Sequence, residues 1–320
     1  MKRNRVACCG LRVGVGVVAV LSVCRVSVAN TFSENFASDP FQNGWQAFGD
    51  TNLFQWDSTN HTLAVTWDSS QVSSYFYRPI GTTLASNDDF SMEFDLKLTD
   101  ATAGGFGSEL AVGFLNFADA TGTNFFRTLG VAPNVVEFDY FPPSQIAASA
   151  DATLIDSSNN FYFTFNEVLL DPGVAYHIRF LHTAGAPGLT GDIFTNGVLF
   201  ASLTNTFPSS IGDFRVDTIS VSSYPEDGFG DTILAHGTVG NLTVTLPPLV
   251  RHLGGEFTNG VWQTQFNTYT NSHYALQRST NILSWSEVTD PVAGNGGVVV
   301  LSDTNAVADK AFYRVRVDQP

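Results

Sequence analysis

Two acidic residues in one strand-like stretch, Glu137 and Asp139, are the side chains best placed to do chemistry. They lie within Val135 to Phe141, which reads Val-Val-Glu-Phe-Asp-Tyr-Phe. Because successive side chains of a strand point to opposite faces, both carboxylates share one face with Phe141. Such a pair can hold a hard cation, accept hydrogen bonds from sugar hydroxyls or take part in glycoside hydrolysis. We expect both to project from a middle strand into an open trough.

Carbohydrate binding requires an open face or loop edge with aromatic platforms and a few carboxylates or amides. Most aromatic residues of a β-sandwich pack in its core, so packing is the alternative role for each phenylalanine. Exposed sheet surface is the alternative for the acids. The candidate sugar-binding residues are Glu109, Asn124, Phe125, Glu137, Asp139 and Phe141.

Strand-type patterns separated by turn residues recur along the chain, and helix-type periodicity is almost absent. Phe90 to Leu98 alternates apolar and polar residues, whereas Glu109 to Phe117 is apolar on both faces and predicts a central strand. Pro79 is expected at a strand end. His177 and Arg179 are expected to be solvated. Three alternating positions are expected to point inward: Phe161, Phe163 and Phe165.

These patterns predict an all-β protein, with a sandwich or barrel over residues 30–247 and a small sandwich or partial barrel over 248–320. Residues 1–29 have the basic start, short apolar run and small-residue cleavage site of a secretory signal peptide. We therefore expect a protein that is secreted or at the cell surface, without membrane insertion of the mature chain.

Charge and cysteine content restrict the partners. All three cysteines lie in residues 1–29, so the exported chain would have no disulfide. Five of the 15 basic residues and none of the 30 acidic ones lie there, which leaves 10 − 30 = −20. Such a chain repels nucleic acid and anionic membranes and attracts divalent cations, although acidity also serves solubility alone. The acidic loop Pro225 to Asp231 has the composition of a calcium site or of a solvated turn.

The order of several strand patches resembles the concanavalin A-like lectin and glucanase superfamily, and the resemblance covers residues 30–247. It implies a two-sheet antiparallel jelly-roll sandwich there, followed by the small β-sandwich-like module. The third patch in the order is the most specific. The patches are Phe90-Ser-Met-Glu-Phe-Asp-Leu-Lys, Leu110-Ala-Val-Gly-Phe-Leu, Val136-Glu-Phe-Asp-Tyr-Phe, Ile155-Asp-Ser-Ser-Asn, Tyr176-His-Ile-Arg-Phe and Asn241-Leu-Thr-Val-Thr.

In legume-type lectins, Glu-x-Asp-x-aromatic is a platform for a metal pair. The resemblance implies that Glu137 would bind manganese, that Asp139 would bridge to calcium and that Phe141 would offer a carbonyl. This chain has Pro143 where the family has asparagine, and it has no histidine in residues 142–156. We expect the metal pair to be lost, while Asp139 with Asp151, or with Asp156 as the alternative, could still hold one hard cation such as Ca²⁺.

Laminarinase-like glycosidases of this fold carry Glu-x-Asp-x-x-Glu, with the first glutamate as nucleophile and the last as acid/base. Retaining hydrolysis needs two carboxyls about 5 Å apart. Glu137 and Asp139 match the first two places, but Pro142 stands in the third. The protein is therefore expected not to be a hydrolase, although Glu109 could in principle supply a second carboxyl.

Residues 248–320 resemble a C-terminal module, fibronectin-like in outline, that ends many secreted bacterial proteins. The function predicted from the whole sequence is that of a secreted lectin-like protein that binds glycan or polysaccharide without hydrolysis. Two alternatives stay open: a structural or adhesive surface protein without a sugar site, and a divergent glycoside hydrolase that uses Glu137.

Overall fold

The computed structural model describes residues 5–9, 30–105, 109–127, 131–186, 188–204, 212–226, 230–306 and 311–318. The chain divides into two compact units. The larger unit is Thr31–Leu246, and the smaller unit combines Met1–Asn30 with Pro247–Pro320. No helix in these described ranges is long and apolar enough to cross a membrane. Residues 10–29, most of the expected signal peptide, lie outside the described residues, and export stays a prediction.

Strands account for almost all regular structure. The described helical segments are two 3-10 turns, Pro40–Asn43 and Thr51–Leu53, and one short helix, α1 (Phe117–Ala120). The strands of the larger unit and the one before it are β1 (Arg5–Cys9), β2 (Asn30–Glu34), β3 (Gln46–Phe48), β4 (Phe54–Asp57), β5 (Thr62–Asp68), β6 (Ser74–Leu84), β7 (Phe90–Gly104), β8 (Leu110–Leu115), β9 (Val135–Phe141), β10 (Ser149–Ile155), β11 (Phe161–Tyr162), β12 (Asn166–Glu167), β13 (Ala175–His182), β14 (Leu189–Thr195), β15 (Val198–Thr204), β16 (Val216–Ser223) and β17 (Thr232–Leu246). Those that follow are β18 (Arg251–Thr258), β19 (Val261–Asn267), β20 (His273–Ser279), β21 (Ser286–Glu287), β22 (Val292–Ala293), β23 (Val298–Asp303) and β24 (Phe312–Asp318).

Two eight-stranded antiparallel sheets make up the larger unit. The first, here called the acidic sheet, has the order β11-β10-β9-β8-β16-β6-β3, with β12 also beside β10. The second, here called the open sheet, has the order β15-β14-β13-β7-β17-β5-β4, with β2 also beside β17. The predicted all-β, jelly-roll sandwich is confirmed.

Aromatic contacts between the sheets mark the sandwich core. The rings of Phe94 and Phe138 lie 5.8 Å apart, and those of Phe114 and Phe180 lie 6.2 Å apart. The alternation in Phe90 to Leu98 is confirmed, because its apolar residues are buried and the polar ones between them are not. Strand β8 is buried throughout and lies between β9 and β16, so its predicted central position is confirmed as well.

The expectation that Pro79 ends a strand is wrong, because β6 continues through it to Leu84. Pro79 lies opposite Thr218 of β16, where the register shifts between Val216 and Thr218. Proline has no amide hydrogen to donate to the ladder, and an irregularity of this kind tolerates the missing bond.

The expectation that the three phenylalanines of 161–165 point inward is wrong for Phe165, whereas Phe161 is partly buried and packs against a cluster of buried residues. Strands β11 and β12 are two residues each and pair only with β10, so this segment has no continuous ladder to alternate on. Phe165 is 53% exposed. The side chains pack on each other instead, with ring centroids of Phe163 and Phe165 4.9 Å apart and those of Phe141 and Phe165 5.6 Å apart.

The smaller unit contains a three-stranded sheet, β18-β19-β23, and a five-stranded sheet in which β1-β24-β20-β21 are joined by β22 beside β20. Trp262 and Tyr313 stack in its core with ring centroids 4.8 Å apart. Tyr269 and Tyr274 are buried with their hydroxyls bonded to the carbonyls of Pro247 and Leu249. Buried aromatic hydroxyls that find backbone acceptors stabilise so small a core.

Candidate functional site

The outer face of the acidic sheet, which points away from the sandwich core, carries the two central acids. Residues directly opposite each other in antiparallel strands project to the same face. Asp139 of β9 pairs with Asp151 of β10 on one side and with Ala111 of β8 on the other. Glu137 pairs with Gly113, where an added Cβ would lie only 2.4 Å from the Glu137 Cα. The small residues on β8 therefore leave room for the acids beside them.

Arg127 reaches this face from the segment that follows α1. Its Nε donates to Glu137 Oε1 at 2.5 Å, and its Nη2 donates to Asp139 Oδ2 at 2.5 Å. Its Nη1 lies 3.5 Å from Glu109 Oε1. One guanidinium thus bridges three carboxylates, one just before β8 and two on β9, and its planar arrangement of donors suits such multiple contacts.

Aromatic side chains enclose this group. The Tyr224 hydroxyl donates to Glu137 Oε2 at 2.8 Å. The Arg127 Cζ lies 4.7 Å from the Phe161 ring centroid and 5.9 Å from that of Tyr224, distances suited to cation–π attraction. Phe125 packs in an apolar cluster of buried residues that also contains Tyr75, Leu115 and Tyr224, here called the apolar cluster.

The expected open trough is wrong. Glu137 is 1% exposed, Asp139 0% and Arg127 3%. The segment from α1 through Arg127 covers the acids, because an arginine in that segment can neutralise carboxylates that would be costly to bury alone. Here we call Glu109, Arg127, Glu137, Asp139 and Asp151 the acidic cluster.

Burial raises the carboxyl pKa values of the cluster. It raises the pKa of Glu109 to about 8, against the opposing effect of Arg127. Burial, followed by repulsion from Asp139, raises the pKa of Asp151 to about 7. Burial also raises the pKa values of Glu137 and Asp139, although Arg127 lowers both. Burial thus favours the protonated form of each of these carboxyls, whereas Arg127 favours the charged form.

The structure brings together only part of the predicted site. Glu109, Glu137 and Asp139 share Arg127, but Phe125 is 8% exposed and packs in the apolar cluster. Asn124 is exposed in the covering segment. Phe141 is half-buried against Phe165.

Sequence reasoning missed Arg127 and Tyr224. Arg127 had a signal, since it is the one lysine or arginine between Lys97 and Arg179. A lone basic residue in a stretch rich in acids is a candidate partner for the acids that strand patterns bury. Tyr224 had no comparable signal, because nothing in its neighbourhood distinguishes it from core tyrosines.

The residues present do not fit a bound metal pair on Glu137 and Asp139. Both Glu137 oxygens are engaged, one by Arg127 and one by Tyr224, and Arg127 also takes an oxygen of Asp139. Within the described ranges no group of three or more His, Cys, Asp or Glu residues is arranged to hold a metal ion. A single cation such as Ca²⁺ on Asp139 and Asp151 stays a prediction. Residues 227–229 of the acidic loop lie outside the described residues.

A cavity of about 610 Å³, here called the cleft, lies beside the covering segment. Its walls come from residues 69–73, from residues 120–123 with Phe125 and Phe126, and from Pro225 and Glu226. The lining thus includes both polar side chains, among them Gln71, and aromatic ones. Asn124 lies between two lining residues and is exposed.

The larger unit has a two-sheet antiparallel jelly-roll architecture. No protein-family model matches the sequence, and no curated protein matches it. The similar solved structures include the carbohydrate recognition domain of Emp47p, at 11% identity, with 70% of this chain and 99% of that chain covered and a TM-score of 0.41.

Two further solved structures show the range of proteins with this fold. The seed lectin of Lotus tetragonolobus is 11% identical, covers 69% of this chain and 99% of its own, and has a TM-score of 0.41. The alginate lyase Aly36B is 11% identical, with 67% and 96% covered and a TM-score of 0.38. At 11% identity and TM-scores of 0.38 to 0.41, the likeness does not assign a function to this chain.

Proposed function

We propose that the larger unit binds a glycan or polysaccharide in the cleft and does not cleave it. The observation that carries the proposal is the lining of the cleft. It combines the half-buried Phe126 ring with the amide of Gln71, the carboxylate of Glu226 and several hydroxyls. Sugar rings present apolar faces to aromatic side chains and hydroxyls to polar ones, so a mixed lining of this kind suits them.

The state of Glu137 supports binding without hydrolysis. A retaining glycosidase needs a nucleophilic carboxylate that can reach the anomeric carbon and a second carboxyl about 5 Å away. Glu137 is 1% exposed, and both its oxygens accept hydrogen bonds from protein groups. A sugar could reach it only if Arg127 and Tyr224 moved away.

The formal net charge of the chain, −15 at pH 7, bears on which partners it can bind. It disfavours nucleic acid as a partner and suits a neutral or cationic glycan better than a polyanionic one. Export to the extracellular space or cell surface belongs to the same proposal and depends on the expected signal peptide.

A glycan-array screen, followed by calorimetric titration of the best ligand, tests the proposal. We expect Gln71→Ala and Phe126→Ala to weaken binding at least about tenfold, the loss of roughly 1.4 kcal/mol of contact. The matched controls are Gln55→Ala and Phe200→Ala, two substitutions of the same types on exposed side chains outside the cleft.

Two results would contradict the proposal. Uniformly negative arrays would favour a structural or adhesive role without a sugar site. Release of reducing ends from a bound polysaccharide, abolished by Glu137→Gln, would favour the divergent hydrolase.

A further inference from the structure

The acidic cluster concentrates negative charge that needs a counter-ion. Glu109, Glu137 and Asp139 all form ion pairs with Arg127, and in the described part of the chain these acids have no other cationic partner. Buried carboxylates are stable only when they are paired, protonated or bound to a metal. Arg127 therefore occupies the position that a bound cation would take.

Arg127 also belongs to the segment that walls the cleft. It directly follows Phe126, whose backbone pairs with Val131 through hydrogen bonds of 2.7 and 3.1 Å. At the start of the segment, the Tyr75 hydroxyl donates a hydrogen bond of 3.0 Å to the Ala120 carbonyl. A guanidinium fixed to β9 by two hydrogen bonds thus determines where the chain before it can lie.

We propose that Arg127 is the resident cation of the acidic cluster and that it, in place of a divalent metal ion, holds residues 117–126 against the acidic sheet. Arg127 is a positioning residue in this proposal, since it acts on the cleft through the segment that precedes it. The consequence for sugar recognition rests on the proposed function, whereas the consequence for the segment does not.

The chemistry makes the proposal specific. The guanidinium gives Glu137 and Asp139 directional hydrogen bonds as well as charge, and it gives Glu109 an ion pair at 3.5 Å. It cannot be deprotonated or removed by a chelator. Truncating it to alanine would leave several carboxyl oxygens around a space open to small cations. Arg127→Ala, unlike the wild type, should therefore respond to divalent ions and to free guanidinium.

The first experiment measures thermal unfolding of the full chain with EDTA, with millimolar CaCl₂ or MnCl₂, and with neither. We expect the Tm of the wild type to stay the same under all three conditions. Arg127→Ala should unfold roughly 10 °C lower, since it leaves buried charge unpaired, and its Tm should rise on addition of MnCl₂ or millimolar guanidinium. A wild-type Tm that EDTA lowers, or that CaCl₂ raises by several degrees, would overturn the proposal.

The second experiment measures amide hydrogen exchange in the peptide that covers residues 117–126. Exchange should be at least about tenfold faster in Arg127→Ala than in the wild type, because the segment opens locally, and unchanged in Arg179→Ala, an exposed arginine on the other sheet. Equal exchange in both variants would contradict a positioning role. Arg127→Lys should exchange at an intermediate rate.

The outcomes separate this proposal from the proposed function. If the wild type binds no glycan but both experiments give the expected results, the proposed function fails and the role of Arg127 stands. If Arg127→Ala does not fold, the wild-type response to EDTA and CaCl₂ still decides whether a divalent ion is needed.

Discussion

The two outer faces of the sandwich carry the same kinds of residues in opposite surroundings. On the open sheet, Arg179 Nη2 donates to Asp192 at 2.7 Å, and the side chains are 40% and 29% exposed. His177 beside it contacts Asp95 at 2.8 Å. On the acidic sheet, Arg127 binds Asp139 at 2.5 Å with side chains 4% and 0% exposed. On the second face both partners of the ion pair are buried, whereas on the first both are partly exposed.

The comparison shows that burial, rather than the ion pair itself, gives the acids of β9 their raised pKa values. The two arginine–aspartate distances differ little, but water screens one pair and is excluded from the other. The expected solvation of His177 and Arg179 is confirmed, and the expected exposure of Glu137 and Asp139 is not. Three measurements test whether burial causes the difference between the two faces.

The largest effect is expected from removing each arginine in turn. Arg127→Met should lower the free energy of unfolding of the larger unit by about 3–5 kcal/mol, because it leaves buried charge unpaired. Arg179→Met, the matched control, should cost less than about 1 kcal/mol. Urea denaturation measures both. Similar losses would mean that the cover contributes nothing to the pair.

A pH-dependent effect of intermediate size is expected from Glu109. Its pKa is 4.5 in the unfolded reference and about 8 in the folded chain, so the folded state binds more protons between these values. Stability from this group is therefore complete at low pH and is lost as the pH rises through that window, by at most about 1.4 kcal/mol per pH unit.

Glu109→Gln should accordingly flatten the pH dependence of stability between about pH 5 and about pH 8. Glu167→Gln, which neutralises an exposed glutamate, is the control and should leave the slope unchanged. Urea midpoints across this range give the result. An unchanged slope in Glu109→Gln would show that Glu109 is ionised throughout.

The smallest effect is expected from salt. A double-mutant cycle should give Arg179 and Asp192 a coupling of a few tenths of a kcal/mol, which vanishes near 1 M NaCl because the Debye length falls to about 3 Å. The coupling of Arg127 with Asp139 should persist at the same salt concentration. Equal salt sensitivity in the two cycles would indicate that water reaches the acidic cluster.

Much of the fold could be predicted because alternation along a strand is a local property. Phe90 to Leu98 and the apolar stretch at β8 are examples, and they led to the correct sandwich. Pro79 and Phe165 were misplaced because their environments depend on partner strands far away in sequence. The extra residues of β6 relative to β16, and the short reach of β12, become apparent only when these strands pair with their partners.

The sequence by itself determined that Glu137 and Asp139 lie on one face of a strand, since that follows from the two-residue period of the backbone. Whether that face is open or covered was decided by the tertiary structure alone. Arg127 lies 10 residues from Glu137 and 12 from Asp139, and Tyr224 lies 87 from Glu137. Their convergence depends on the path of the covering segment and on the order of strands in the sheet, and no local pattern encodes either.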